Sequence, residues 1–150
     1  MWDLNDTKLK NNNLEMKKIM AIIEKGNDGL YSIYLPDVFG IYGTGKTEAE
    51  AKEALFEAVD SAKEYMEETE DFSAYNVFKS DFEFDYRYDL SGFFMTYNFF
   101  DVSALAIKIG LNASLLRRYK SGASKAENKQ KEKIEHGIHN LAKELMAVRF

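Results

Sequence analysis

Cysteine is absent from this chain, which excludes disulfide staples, thiolate metal centres and a cysteine nucleophile, and suits a reducing cytoplasm. Histidine occurs only at His136 and His139. Three apart on one helix, they could share a face, but without a third ligand they make no zinc site and read as solvent-exposed. No apolar run approaches the ~20 residues that a membrane span requires. The opening stretch MWDLNDTKLKNNNLE is rich in Asn and lacks the apolar centre of a secretory signal. Residues 1–15 therefore read as a flexible arm, and Met16 could equally be the natural start of the folded part.

Catalytic signatures are missing too. There is no GxSxG and no P-loop, and the glycines from Gly40 to Gly45 lack the lysine and hydroxyl order of a phosphate-binding turn. Acidic residues are plentiful, yet none sits mid-strand beside another in a pair suited to acid–base or two-metal chemistry. The sequence predicts no catalytic residue, no metal site and no cofactor, hence no enzyme.

What is present is a chain able to fold. Apolar residues make up 45% of it, enough for packed cores and too many for disorder. Its 150 residues can hold one ordinary domain or two small ones. The overall charge of −5 hides a division: residues 101–150 carry +5, and residues 1–100 carry −10. Such asymmetry marks a nucleic-acid-facing segment joined to something that is not. The acidic part would be repelled by phosphates and is free to hold a basic protein.

Along the chain, Lys17 to Glu24 reads as a compact apolar strand, long enough for burial on both faces. Gly26-Asn27-Asp28-Gly29 is turn chemistry, and Leu30 to Leu35 returns as the second arm of a hairpin ended by Pro36, the one proline. Val38 to Tyr42 reads as a third strand closed by Gly43 and Gly45. Thr47-Glu48-Ala49-Glu50 is a capping box opening a helix whose apolar stripe runs from Ala51 to Met66. Phe82 to Tyr88 alternates strictly and predicts a strand with one aromatic face. The order is β-β-β-α-β followed by helices, an α+β layer and then an all-α unit.

Residues Leu105 to Gly122, LAIKIGLNASLLRRYKSG, fit a helix-turn-helix. Gly110 falls where the turn needs positive φ, Leu111 is its apolar plug, and Asn112 caps the second helix. Leu116 and Tyr119 point inward, Arg117, Arg118 and Lys120 outward, and Gly122 closes the helix. The first turn of such a helix lies at base edges in the major groove. That selects Ala113, Ser114 and Arg118 as base-facing, and Arg117, Lys120 and Lys125 as phosphate contacts, with the capping Asn112 completing the expected DNA-binding set.

Twelve of the 21 aromatics fall between Phe72 and Phe100. Acidic neighbours disfavour RNA stacking there, so the cluster reads as core and subunit interface. Ser124 to about Ala147 is a long amphipathic helix whose seam, Ile134, Ile138, Leu141 and Leu145, packs either on the helix-turn-helix of its own chain or against a second copy. One helix-turn-helix covers few base pairs, so a homodimer is expected. Its candidate contacts are that seam and Phe82, Phe84 and Tyr86.

The stretch KKIMAIIEKGNDGLYSIYLPDVFGIYGTGKTEAEAKEALFEAV resembles the amino-terminal part of HicB antitoxins, with their strand pair, PDVFGIYGTG turn and T-x-x-E-A helix start. ALAIKIGLNASLLRRYKSG resembles the helix-turn-helix that many HicB proteins carry. The resemblance covers Met16 to about Leu145, is weakest over Glu67 to Asp81, and leaves out the arm Met1 to Glu15. It implies a partial RNase H-like β-β-β-α-β fold at 16–89, without the nuclease carboxylate set, and an all-α helix-turn-helix domain at 90–150. It implies a cytoplasmic antitoxin that neutralises a small basic HicA-type ribonuclease, assembles as a dimer or more, and represses its own operon at operator DNA. The exposed β-face and the turn from Pro36, with Asp37, Val38 and Tyr42, are the expected toxin contact. A rival reading is a stand-alone DNA-binding regulator without a toxin; the missing carboxylate cluster disfavours an RNase H-like nuclease.

Overall fold

The computed structural model describes residues 16–150; the arm expected at 1–15 lies outside the described residues. The fold is α+β. Strands β1 (Lys17–Lys25), β2 (Tyr31–Tyr34) and β3 (Tyr42–Gly45) precede helix α1 (Glu48–Thr69), and β4 (Phe82–Tyr88) follows it after a single 3-10 turn at Asn76–Phe78. Four helices complete the chain: α2 (Leu90–Thr96), α3 (Val102–Lys108), α4 (Ala113–Ser121) and α5 (Asn128–Met146). The sheet order is β3-β2-β1-β4, antiparallel except for the β1·β4 pair. A parallel pair needs a long crossover, and α1 supplies it by lying across one face of the sheet.

That single helical layer explains the burial of β1. Ile19, Ala21 and Ile23 are buried against α1, whereas Met20 and Ile22, on the opposite face, are half-exposed. The expected burial on both faces is therefore corrected to burial on one.

The third strand is displaced from Val38–Tyr42 to Tyr42–Gly45. Residues 36–41 form a turn instead, in which Gly40 takes a positive φ of 83° and Val38 and Ile41 plug the core. Gly43 and Gly45 are not terminators. They lie within β3 because α1 passes directly over it: a Cβ on Gly43 would collide with the backbone of Ala51 and Leu55, and one on Gly45 would sit 2.6 Å from the Ala51 nitrogen. Neither neighbour can yield without moving the helix. Gly43→Ala is expected to cost about 3 kcal/mol of stability, the upper range for forced overpacking. Denaturant melts check this, and an unchanged midpoint would mean the helix does not rest there.

Helix α1 opens as its sequence dictates. Thr47 Oγ1 accepts from the Glu50 amide at 3.1 Å, while the Glu50 carboxylate reaches back to the Lys46 amide at 2.7 Å, one residue beyond the usual capping-box partner. The buried stripe Ala51, Leu55, Val59, Ala62 and Met66 follows at helical spacing. On its first turn Glu48 accepts hydrogen bonds from Lys52, at 2.5 Å, and from the Tyr88 hydroxyl of β4. Partial burial opposes ionisation of Glu48, but the bonds from Lys52 and Tyr88 prevail and hold its carboxyl below the ordinary value of 4.5. A carboxylate whose pKa is lower folded than unfolded adds stability above its unfolded value, and that stability is lost as pH falls through the folded one. Glu48→Gln should thus melt below the parent at neutral pH, and the gap should close as pH falls through and below the ordinary carboxylate range. Thermal melts across that range give a constant gap if the linkage is absent.

Two separate cores result. One joins β1, β2, the segment Leu35 to Ile41, α1 and Phe78, with the aromatics of β4 packed on it; the other joins Phe94, Val102, Leu105, Ala106, Leu116, Tyr119 and Ile134. Helix α2, which the sequence did not announce, connects them. Asp89 caps it, accepting from the Ser91 amide at 3.2 Å, and Gly92 lets it approach the Lys25 backbone nitrogen to within 3.0 Å of where a Cβ would stand. Phe93 packs edge-on to Tyr88, with ring centres 6.2 Å apart, and Thr96 reaches the Tyr31 hydroxyl at 3.4 Å. The last helix begins at Asn128 rather than Ser124.

Candidate nucleic-acid interface

Helices α3 and α4 are joined by Ile109–Asn112. Gly110 adopts φ 72°, and the Leu111 amide donates to the Ala106 carbonyl at 2.8 Å, turning the chain tightly. Asn112 Oδ1 accepts from the Leu115 amide at 3.0 Å, which starts α4 at Ala113. Gly122, at φ 76°, ends it. Leu116 and Tyr119 are buried against Leu105, Ala106 and Ile134. Burying one large apolar side chain is worth roughly 1.5–3 kcal/mol. An exposed ion pair such as Lys108–Glu144, 2.6 Å apart, contributes about 0–1 kcal/mol. Packing therefore fixes the orientation of α4, and charge is left over for other use.

With Leu116 and Tyr119 inward, Ser114, Arg117, Arg118 and Ser121 share the exposed face at spacings of three and four. Arg117 Nη1 donates to Ser103 Oγ of α3 at 2.7 Å, so its guanidinium is held. Among the described residues Arg118 and Lys120 have no ion-pair partner. Lys120 stands about a third of a turn away from the Ser114–Arg118 line, and its carbonyl accepts from Ser91 Oγ of α2 at 2.9 Å. Lys125 is largely exposed, with its Nζ 3.5 Å from Asp89 Oδ1. Of the expected DNA-binding residues, Asn112 spends its side-chain oxygen on the expected cap, and Ala113, expected at a base edge, is half-buried. The sequence reading overlooked Lys131, which lines a shallow cleft with Lys125, Gly122 and Tyr119. Its run NKQKEK at the start of α5 was the signal.

On the sheet, Ile22, Tyr34 and Tyr42 lie in register across three strands on the face α1 leaves open. Burial and the charge of neighbouring Glu24 push the Tyr34 hydroxyl pKa up. Of the expected toxin contacts, Pro36, Asp37 and Tyr42 are exposed. Val38 is not: at 6% exposure it belongs to the core, and the large apolar side chain that the turn directs outward is Phe39, 99% exposed. One position decides the matter, because consecutive residues on either side of the turn tip point oppositely.

The expected dimer contacts divide similarly. Ile134, 1% exposed, is a core residue of its own chain and offers no contact. Ile138 and Leu141 are half-buried, and only Leu145 emerges, at 60%. The rings of Phe82, Phe84 and Tyr86 lie half-buried beneath α1. They belong to an aromatic chain running Tyr75, Phe78, Phe82, Phe84, Tyr86, each ring within 6.3 Å of the next. His136 and His139 are exposed, and His136 Nε2 lies 3.1 Å from Asn140 Nδ2.

No family model, no curated protein and no solved structure matches this chain. Among the described residues no helix is long and apolar enough to cross a membrane, and no group of three or more His, Asp or Glu could hold a metal ion.

Proposed function

We propose that this chain is a DNA-binding regulator with an acidic partner-binding unit, and more particularly a HicB-like antitoxin. It neutralises a small basic HicA-type ribonuclease and represses its own operon. The observation that carries the reading is the junction of opposites: a capped, core-anchored α4 with Ser114, Arg117 and Arg118 on its free face, joined to an acidic β-rich unit. A helix held by packing, with its basic side chains unspent, suits insertion into the major groove. Arg118 has the freedom to pair with a base edge, and Arg117, fixed to Ser103, suits a phosphate. The acidic unit would repel DNA and speed encounter with a basic toxin, while apolar contacts at Phe39, Tyr42 and Tyr34 would set the residence time. The partial RNase H-like character of the first unit and the helix-turn-helix character of the second belong to this proposal, as does the homodimer that doubles the DNA contact.

The test pairs the purified chain with the basic protein encoded beside its gene. A stoichiometric complex that abolishes RNA cleavage supports the proposal. Undiminished cleavage at equimolar chain contradicts it.

A further inference from the structure

The outer edge of β4 is a free backbone edge of seven residues among those described, bonded to β1 on one side only. The Asp89 amide donates to the Ile23 carbonyl at 2.9 Å. Backbone groups alternate along a strand, so those of Glu83, Asp85 and Arg87 also face β1, and those of Phe84 and Tyr86 face outward with no partner among the described residues. No proline interrupts this edge, which leaves it a template for another strand.

The surroundings of this edge differ from the rest of the acidic unit. Helix α1 has only two basic residues, Lys52 and Lys63, and both lie over β4. The Lys52 Nζ is 4.4 Å from the Tyr86 ring centre, and the Lys63 Nζ is 5.4 Å from that of Phe82. Between them Phe56, 49% exposed, packs edge-on to Phe84 with ring centres 5.2 Å apart. The remaining exposed charges of α1, such as Glu53, Glu57, Glu64 and Glu67, are acidic. On the other face of the strand the charges are balanced, Glu83 with Lys18 at 3.5 Å and Asp85 with Arg87 at 2.7 Å. This strip is where two acidic units can meet with little like-charge repulsion.

We infer that β4 pairs antiparallel with β4 of a second copy, about a two-fold axis at Asp85, joining two four-stranded sheets into one of eight. In that register the outward groups of Phe84 meet those of Tyr86 in the second copy. Glu83 faces Arg87 of the second copy, and the two-fold repeats both contacts. The two Asp85 carboxylates meet across the axis, each already neutralised by Arg87 of its own chain at 2.7 Å. The two Phe56 rings flank the axis and lose their exposure. The inference deepens the proposed homodimer by naming the strand edge that forms it and the register, and it does not depend on a toxin or an operator.

A single introduced cysteine tests it, because the chain has none of its own. At the axis, residue 85 and its counterpart form a non-hydrogen-bonded pair with Cα atoms about 4.5 Å apart, within disulfide reach. Mild oxidation of Asp85→Cys at micromolar concentration should give mostly covalent dimer. Glu57→Cys, on the exposed face of α1, should stay monomeric on the same non-reducing gel. Without oxidation, Arg87→Glu should raise the concentration of half-dissociation at least about tenfold, and adding Glu83→Arg should restore it. Circular dichroism confirms that each variant is folded. Thiols that stay free in folded Asp85→Cys protein, whether monomeric or dimeric by mass, would overturn the inference, as would equal cross-linking of the Glu57→Cys variant.

Discussion

Arg118→Ala should weaken binding to the specific operator by about 1–3 kcal/mol, roughly 5- to 150-fold, while leaving affinity for unrelated DNA nearly unchanged. The side chain is exposed on α4 and has no ion-pair partner among the described residues, so its removal subtracts little from the fold. Arg117→Ala should behave differently. Its guanidinium is fixed to Ser103, which favours a phosphate contact, and its loss should weaken all sequences alike and lower the salt slope by about one unit. Binding titrations on specific and scrambled duplexes at several salt concentrations separate the two. Equal losses on both duplexes for Arg118→Ala would remove that residue from base readout.

The second large effect is expected at the turn tip. Phe39→Ala and Tyr42→Ala should each cost about 2–4 kcal/mol in toxin affinity, the range of central aromatic anchors in protein interfaces. Both rings stand in solvent, at 99% and 62% exposure, so stability should shift by no more than about 0.5 kcal/mol. Val38→Ala should do the opposite, lowering stability through its lost core contacts without removing a surface anchor. Calorimetric titration with the toxin, beside thermal melts, distinguishes them. Full toxin affinity in the Phe39→Ala, Tyr42→Ala double variant would move the contact elsewhere on the acidic unit.

The parts of this fold legible in the sequence are those whose cause is local. Thr47 and Glu50 announce α1 because a capping box acts within four residues. Phe82 to Tyr88 announces β4 because alternation is a property of the strand itself. Gly110, Asn112 and Gly122 mark α4 because each backbone need sits on the residue that meets it. The misplaced elements have distant causes. Gly43 and Gly45 look like terminators until α1 is laid over them, and only that contact explains why a strand there must be glycine. Helix α2 is written in Leu90-Ser91-Gly92-Phe93-Phe94, a poor helical sequence, and it forms because Asp89 caps it and Phe93 and Phe94 pack between two cores. Val38, expected at the contact, lies in the core for a similar reason, since the turn sends its neighbour Phe39 outward in its place. The candidate site inherits this pattern: its helix was legible, whereas the partner surface depended on a turn whose geometry is set by the core beneath it.

The central claim is that α4 reads a particular DNA sequence for a chain that controls its own gene. Footprinting on the DNA upstream of that gene tests it most directly. The account predicts two protected half-sites with centres about 10 base pairs apart, or a multiple of that spacing, and loss of both in Arg118→Ala at concentrations that saturate the parent. Uniform weak protection without a preferred site, from a folded parent protein at low salt, would contradict it.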